Sequence, residues 1–271
     1  MSLFCHIKCS KIKIDKFVSK DIIFRIQQKG DEMKVIKRIL IIILLIIVFI
    51  VAGFVYKGHE LYKQALEKIS ISDKVAEIKS DENYTKLEDM SEFYKDAVIA
   101  VEDRRFYEHG AIDPIALARA VYSNIKAKEL REGGSTITQQ LAKNIYFTQE
   151  KSALRKISEI FMAYDLEKNL NKDTILELYL NTSYFGDGYY CVAEASRGYY
   201  KKEPKDMNRN EASMLAGIPN APSAYCPTKH LDLAKKRQNQ VLDKMVRYEF
   251  ITAEEKEEIL NESNAVEDNK D

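Results

Sequence analysis

Residues 133–144 have the sequence GGSTITQQLAKN, which predicts a loop that leads into a helix and presents polar side chains. The glycine pair at 133 and 134 frees the backbone to approach a ligand, because glycine has no Cβ atom. Four long polar residues then follow at spacings that let several of them share one helical face: Gln139, Gln140, Lys143 and Asn144. A helix N-terminus with a nearby lysine suits a phosphate-bearing ligand, although the glycine–lysine spacing of a nucleotide P-loop is absent. The alternative is a helix cap with a polar surface.

Carboxylates stand at two informative positions on either side of this stretch. Upstream, the apolar residues 97–101 are followed by EDRRFYEHG at 102–110, so Glu102 ends a segment that we expect to be buried. Partial desolvation would strengthen that carboxylate as a proton acceptor, whereas the alternative is a solvated charged turn. Downstream, Arg155 and Glu159 lie four residues apart on one helical face. Taken alone, such a pair is most often a surface ion pair contributing about 0.3–0.5 kcal/mol.

The pattern around these residues predicts a mainly α-helical domain. Glycine and proline number only 10 and 5, and alternating strand patterns are scarce. Asp113-Pro114 is a strong helix start, followed by an apolar stripe at Ile115, Ala118, Val121, Tyr122 and Ile125. A second helix is predicted over 152–169, with a buried side made of Leu154, Ile157, Ile160, Phe161 and Tyr164. A third helix is predicted to begin near Thr174, where Thr174 and Glu177 fit a capping box, and to continue to Asn181. Further helices are predicted over 210–216 and over 231–250.

The N-terminal part predicts a membrane anchor. Residues 39–56 are eighteen residues without a charge, about 27 Å of helix against a hydrocarbon core of about 30 Å. A buried core helix or a cleaved signal peptide fits less well, because the upstream residues are polar and no small-residue cleavage site follows. Residues 1–38 hold ten basic and four acidic residues, which predicts a cytoplasmic N-terminus and an external C-terminal part. Residues 57–271 hold 32 basic and 38 acidic residues, so no nucleic-acid partner is expected.

The four cysteines define no disulfide framework or zinc site. Cys5 and Cys9 flank His6 but lack a second ligand pair, and a bond between Cys191 and Cys226 is left open. Residues 1–32 carry no clear motif, and Met33 followed by Lys34 would suit the start of a membrane anchor. Whether residues 1–32 are translated is therefore also left open.

Five motifs together resemble the glycosyltransferase domain of class A penicillin-binding proteins and the monofunctional peptidoglycan glycosyltransferases. They are EDRRFYEHG and GGSTITQQLAKN, then RKISE at 155–159, ILELYLN with YFG at 175–186, and EASMLAGIPNAPSAYCP at 211–227. The resemblance implies a two-lobed, lysozyme-like helical domain behind a transmembrane helix, with an apolar jaw that dips into the membrane. It divides the chain into a basic tail (1–38), a membrane helix (39–56), a stalk and domain entry (57–95), a glycosyltransferase domain (96–250) and an acidic tail (251–271).

The resemblance also implies a reaction and a set of residues. The substrate would be lipid II, polymerised onto a growing glycan strand with inversion, and Glu102 matches the general base. Glu159 matches a second essential carboxylate that assists departure of the diphosphate, which Lys143 and Arg155 would hold. Residues expected to shape the cleft are Asp103, Phe106, His109 (mainly structural), Ser135, Thr136, Gln140 and Asn144. No cofactor is clearly required, and a magnesium or manganese ion at the diphosphate is left open.

Two other function classes remain open at this stage. A lytic muramidase would also use a cleft with a catalytic glutamate, but it would not need the basic residues. A non-catalytic scaffold would tolerate loss of the glutamates. No transpeptidase activity is expected, because the SxxK match at Ser10–Lys13 lies in the basic tail and no KTG follows. Besides lipid II and the glycan strand, the expected partner is the cytoplasmic membrane; cell-wall synthesis proteins are left open.

Cys191 and Cys226 depart from the family's more usual glycine and asparagine.

Overall fold

The computed structural model describes residues 3–127, 133–148 and 152–267, and every α-helix or 3-10 helix in it lies in those ranges. No strand occurs among these described residues, so the prediction of a mainly α-helical fold is confirmed. The α-helices are α1 Leu3–Lys68, α2 Ile71–Lys79, α3 Glu92–Glu102, α4 Pro114–Ala127, α5 Ile137–Tyr146, α6 Ala153–Asn169, α7 Lys172–Leu180, α8 Val192–Tyr200, α9 Arg209–Gly217, α10 Pro222–Tyr225, α11 Leu231–Arg247 and α12 Ala253–Glu267. Short 3-10 helices cover Leu87–Asp89, Pro204–Asp206 and Ile218–Asn220.

The chain forms two compact units, Met1–Tyr56 and Lys57–Asp271. The first unit contains the predicted N-terminal apolar helix. Within α1, Met33–Lys68 is 36 residues long and contains an eighteen-residue window of mean hydropathy 3.4, none of which is buried. This helix is therefore long and apolar enough to cross a bilayer, and its exposure does not fit the core helix of a soluble protein.

In the second unit, α3, α9 and α11 pack together and form one group of helices. Five consecutive residues of α3, 97–101, are buried, which explains the uniformly apolar run in the sequence. Buried polar side chains join neighbouring helices: the Gln238 amide donates to the Asn210 carbonyl (2.9 Å), and the Asn210 amide donates to the Ile259 carbonyl (2.9 Å). Residues 251–271 were expected to form an acidic tail, yet α12 packs against α9 and Ile259 is 1% exposed.

A second group consists of α5, α6 and α7. The predicted buried side of α6 is confirmed only in part. Tyr164 is 52% exposed, whereas Ser158, Glu159, Met162, Ala163 and Leu166 are fully buried. The reason is that α6 is covered on two sides. Its Ile157 and Phe161 side meets residues 58–62 of α1, and the other side faces α5.

The start of α7 also differs from the expectation. The capping side chain is Asn171, which accepts from the Thr174 amide at 2.8 Å, so a capping box at Thr174 and Glu177 is wrong. Glu177 instead accepts from the Leu87 amide (2.8 Å) and the Tyr84 hydroxyl, and thereby holds the segment that precedes α3. Residues 57–95 contribute Ala65, Met90 and Tyr94 to the hydrophobic core.

The start of α4 is as predicted, since the Asp113 carboxylate accepts from the amides of Ile115 (2.9 Å) and Ala116 (3.0 Å). Its apolar stripe lies on the surface, with exposures of 58% for Ile115, 51% for Val121 and 73% for Ile125. The two cysteines of this unit, Cys191 and Cys226, are buried free thiols, which answers the question of a disulfide between them.

Candidate active site

A cleft of about 480 Å³ opens between the two groups of helices. The first group supplies the end of α3 and one face of α11, and the second supplies parts of α5 and α6. Among the described residues, two acidic side chains line the cleft, Glu102 and Glu159. The same part of the chain contributes eight basic side chains: Arg104, Arg119, Lys143, Arg155, Lys156, Arg237, Lys244 and Arg247. A cavity with this excess of positive charge suits an anionic ligand.

Glu102 is the last residue of α3, and its two carboxylate oxygens differ. Oε2 accepts a hydrogen bond from the Gln140 side-chain amide at 2.7 Å. Oε1 is buried and has no hydrogen-bond partner among the described residues, and the nearest cation, Arg237, is 4.0 Å away. One oxygen is thus held by a protein side chain, while the other accepts no hydrogen bond from the described residues.

Asp103, although adjacent in sequence, lies outside the cleft lining. Its Oδ2 accepts from the Ile137 amide (3.1 Å) and so joins the end of α3 to the start of α5. Its Oδ1 lies 2.7 Å from His109 Nε2, while His109 Nδ1 lies 2.6 Å from the Gly110 carbonyl. Burial opposes protonation of His109, but the hydrogen bond and charge of Asp103 and the Gly110 carbonyl outweigh it and raise the pKa of His109.

The loop between α3 and α4 is held by a second buried ion pair. Arg105 donates from Nε and Nη2 to the two oxygens of Asp113 at 3.1 and 2.6 Å. Burial works against ionisation, yet this bidentate pair and two backbone amides lower the pKa of Asp113 to about 2. The motif around Glu102 is therefore held by charged groups that point away from the cleft.

Glu159 lies at the other side of the cleft, 1% exposed, between two cations. Arg155 donates to its Oε1, and the Lys156 ammonium donates to its Oε2 at 3.0 Å. Lys156 also donates to the Ser135 hydroxyl at 2.8 Å, which connects α6 to the loop that precedes α5. A buried carboxylate with both oxygens engaged holds Arg155 and Lys156 in place before any ligand arrives.

Lys143 lies on α5 within electrostatic reach of both glutamates. Burial lowers the pKa of Lys143; Glu159 and Glu102 oppose that shift, and Arg155 and Lys156 add to it. An anion bound beside these three basic residues would offset their mutual repulsion. The arrangement favours a ligand with at least two negative charges.

This chain is similar to proteins of one family over most of its second unit. The family model described as Transglycosylase matches residues 71–246. The chain belongs to the transglycosylase family. The resemblance found in the sequence is thereby confirmed, and the second unit is a peptidoglycan glycosyltransferase domain of the kind that penicillin-binding proteins 1A and 1F contain.

Penicillin-binding protein 1A of Neisseria lactamica is 42% identical over 206 residues, which cover 75% of this chain and 26% of that protein. Penicillin-binding protein 1F of Bacillus subtilis strain 168 is 40% identical over 243 residues, covering 86% of this chain and 34% of that protein. The chain thus spans about a quarter to a third of these curated relatives. A crystal structure of penicillin-binding protein 1A from Haemophilus influenzae aligns with 46% of this chain and 15% of that one, at 31% identity and a TM-score of 0.33.

The residues predicted for the transglycosylase site fall into two sets. Six of them line the cleft: Glu102, Ser135, Gln140, Lys143, Arg155 and Glu159. The other five do not: Asp103, Phe106, His109, Thr136 and Asn144. Phe106 is fully buried, and Thr136 caps α5, accepting from the Gln139 amide (3.1 Å) and donating to the Ala111 carbonyl (2.8 Å). The glycine pair is similarly divided, since Gly133 lines the cleft while Gly134 packs against Leu117 of α4.

Several cleft residues of the transglycosylase domain were missed in the sequence. Arg237, Lys244 and Arg247 follow one another at spacings of seven and three on α11, which is a periodic signal that could have indicated one basic face. Lys244 also donates to the Val101 carbonyl (2.8 Å) at the end of α3. Beside them the Tyr248 ring lies 4.5 Å from the Arg104 guanidinium and 5.7 Å from that of Arg247.

The described residues do not form a ready set of divalent-metal ligands in the cleft. Both oxygens of Glu159 and one oxygen of Glu102 already accept hydrogen bonds from protein side chains. Outside the cleft, Asp103, His109 and Asp113 each place one possible ligand atom within 4.8 Å of the others. Asp103 and His109 are hydrogen-bonded to each other, and Asp113 is paired with Arg105, so a metal there would have to displace those partners.

Proposed function

We propose that this protein polymerises lipid II, a disaccharide-peptide carried on a polyprenyl diphosphate, into β-1,4-linked glycan strands. The observation that carries the proposal is one cleft in which, within the described part of the chain, a glutamate with one unpartnered oxygen stands among eight basic residues. A muramidase that hydrolyses uncharged glycosidic bonds has no use for so much positive charge. The proposal covers the glycosyltransferase reaction alone.

In the proposed step, Oε1 of Glu102 accepts the proton of the acceptor sugar's 4-hydroxyl group. That hydroxyl oxygen attacks the anomeric carbon of the donor sugar, and the bond between this carbon and the diphosphate oxygen breaks. The electron pair of that bond leaves with the polyprenyl diphosphate. Attack from the face opposite the leaving group inverts the anomeric configuration, so an α-linked donor gives a β-linked product.

The leaving diphosphate gains negative charge as the bond breaks. Lys143, Arg155 and Lys156 would stabilise that charge, because their positions are fixed before the reaction begins. Glu159 would keep Arg155 and Lys156 apart and correctly oriented, which gives it a positioning role toward the diphosphate. In this mechanism the cationic side chains supply the positive charge that faces the diphosphate.

The proposed location is the cytoplasmic membrane, crossed once, with the N-terminus inside and the glycosyltransferase domain outside. The apolar helix supports the crossing, and the ten basic residues among 1–38 support the orientation. A polyprenyl-linked substrate resides in the same membrane. The exposed apolar stripe of α4 would contact that lipid surface.

Polymerisation of labelled lipid II by the full chain in lipid vesicles tests the proposal. We expect wild type to form long glycan and Glu102→Gln to lose at least about 100-fold in turnover, because a general base contributes about that much or more. Glu159→Gln should also lose activity through release of its two cations. Glu108→Gln is the matched control, since Glu108 belongs to the same motif but is exposed.

Each outcome of this assay has a distinct meaning. Shortening of preformed glycan without polymer formation would indicate a hydrolase, and neither activity would indicate a scaffold. If Glu102→Gln retained normal turnover, Glu102 would not be the base.

A further inference from the structure

A buried tyrosine stands behind the glutamate that we assign as the base. Tyr179 of α7 is 1% exposed, and its hydroxyl donates to Oε1 of Gln140 at 3.2 Å. The Nε2 group of the same Gln140 donates to Oε2 of Glu102 at 2.7 Å. A continuous chain of hydrogen bonds therefore runs from α7 through α5 to the last residue of α3.

The direction of this chain follows from the carboxylate. An ionised carboxylate only accepts hydrogen bonds, so the Nε2 group of Gln140 faces Glu102 and Oε1 of Gln140 is left to accept from the Tyr179 hydroxyl. Tyr179 stays protonated, because burial raises the pKa of its hydroxyl well above the ordinary value. Without that donor, Oε1 of Gln140 would lose this partner, and the amide would be held less firmly against the carboxylate.

We propose that Tyr179 is a positioning residue that acts through Gln140 to keep Oε2 of Glu102 hydrogen-bonded and Oε1 free for the acceptor hydroxyl. This inference rests on the proposed function. Tyr179 itself does not line the cleft, so its effect on the reaction must be indirect.

Among the described residues, charged and titratable groups reach Glu102 from several elements, and Arg104 and Lys244 line the same cleft. Arg237 of α11 lies 4.0 Å from Oε1, Lys143 of α5 interacts with Glu102 electrostatically, and Tyr179 of α7 stands behind Gln140. Tyr179→Phe leaves both cations, Arg237 and Lys143, in place. It removes only the support for one hydrogen bond to the ionised carboxylate, which should make Glu102 harder to ionise.

The test compares tyrosine-to-phenylalanine variants of the full chain in vesicles with labelled lipid II. For Tyr179→Phe we expect kcat to fall about tenfold with KM nearly unchanged, and the acidic limb of the kcat/KM profile to move to higher pH. Tyr94→Phe is the matched control, because Tyr94 is also fully buried, lies on the same helix as Glu102 and has a hydroxyl without a hydrogen-bond partner among the described residues. This control should leave kcat and the pH profile unchanged.

A second comparison separates an indirect effect from a loss of folding. In a Gln140→Ala background, Tyr179→Phe should cause no further loss of kcat, because the connecting amide is already gone. Losses that multiply in the double variant, or a Tyr179→Phe protein with wild-type kcat and pH profile, would overturn the inference. A wild-type protein that makes no polymer would instead overturn the proposed function, and this inference with it.

Discussion

Glu102 and Asp103 are neighbouring carboxylates with different surroundings. Helix α3 ends between them, and the backbone of Asp103 turns to φ −155° and ψ 73°. The turn directs Asp103 toward Ile137 and His109, where both of its oxygens are engaged. Glu102 keeps one oxygen unpartnered in the cleft. One helix end thus separates a group suited to chemistry from a group that holds two helices together.

The Asp103–His109 pair leads to a prediction about pH. The folded-state pKa of His109 is raised, so its stabilising contribution is complete below the unfolded value of about 6.5 and is lost as the pH rises through the folded value. We expect the unfolding temperature of the full chain to fall over that interval. His109→Asn should remove this part of the pH dependence, as thermal unfolding monitored by circular dichroism would measure.

His230→Gln provides the control for that measurement, because His230 is exposed. Its pH dependence should match that of wild type. A His109→Asn protein whose unfolding temperature still falls as steeply when the pH rises above about 6.5 would show that another group is responsible.

At the level of residues, the sequence predicted where the site lies better than it predicted which side chains line the cleft. The family resemblance placed Glu102, Lys143 and Glu159 in one cleft, and the structure brings them together there. The same motifs contain Phe106 and Thr136, which are buried and support the loops instead. Spacing along a helix gives the face on which a residue lies but not the element that packs against that face. The catalytic and binding roles remain predictions.

At the level of elements, α6 shows why burial was mispredicted. A helix with one apolar stripe is expected to bury that stripe alone, but α6 lies between α5 and the end of α1. The Ser158 hydroxyl donates to the Gly58 carbonyl at 2.8 Å, and the Tyr62 hydroxyl donates to Asp165. The helix that carries Arg155 and Glu159 is therefore held from behind by residues just after the apolar run.

Gly58 permits this close approach and gives a second prediction. A Cβ atom at position 58 would lie 2.5 Å from Cγ2 and 2.8 Å from Cβ of Ile157. Gly58→Ala should therefore displace α6, destabilise the protein by about 1–3 kcal/mol and lower glycosyltransferase turnover. Chemical denaturation and the lipid II assay would measure the two effects.

A matched pair and a compensating change accompany that prediction. Gly53 lies in the same helix with nothing within 4 Å of its added Cβ, so Gly53→Ala should be neutral or slightly stabilising. Ile157→Ala removes the 2.5 Å contact but keeps the Ile157 Cβ, so it should rescue Gly58→Ala only in part. Equal behaviour of the two alanine variants would refute the proposed tight contact.

At the scale of the whole molecule, the net charge does not show how the charged residues are distributed. The formal net charge is zero, and the part of the chain after residue 56 has more acidic than basic residues. The described residues nevertheless give the cleft eight basic and two acidic side chains. Composition argued against a nucleic-acid partner but could not reveal this concentration, because the basic residues come from the loop after α3 and from α4, α5, α6 and α11, and they meet only in the folded domain.

The exposed face of α4 gives the last prediction, which concerns catalysis at a lipid surface. Val121 and Ile125 are 51% and 73% exposed, and burying such side chains in lipid contributes about 1 kcal/mol or more each. Val121→Asp with Ile125→Asp should therefore lower turnover of long-chain lipid II in vesicles at least about tenfold, since a carboxylate resists entry into hydrocarbon. Turnover of a short-chain, water-soluble analogue should change little, because the cleft is intact.

Leu231→Asp with Leu233→Asp is the control, as these residues of α11 are also exposed, at 43% and 45%. Equal losses on both substrates would mean that the α4 change damages the cleft and that its apolar face has no separate role at the membrane.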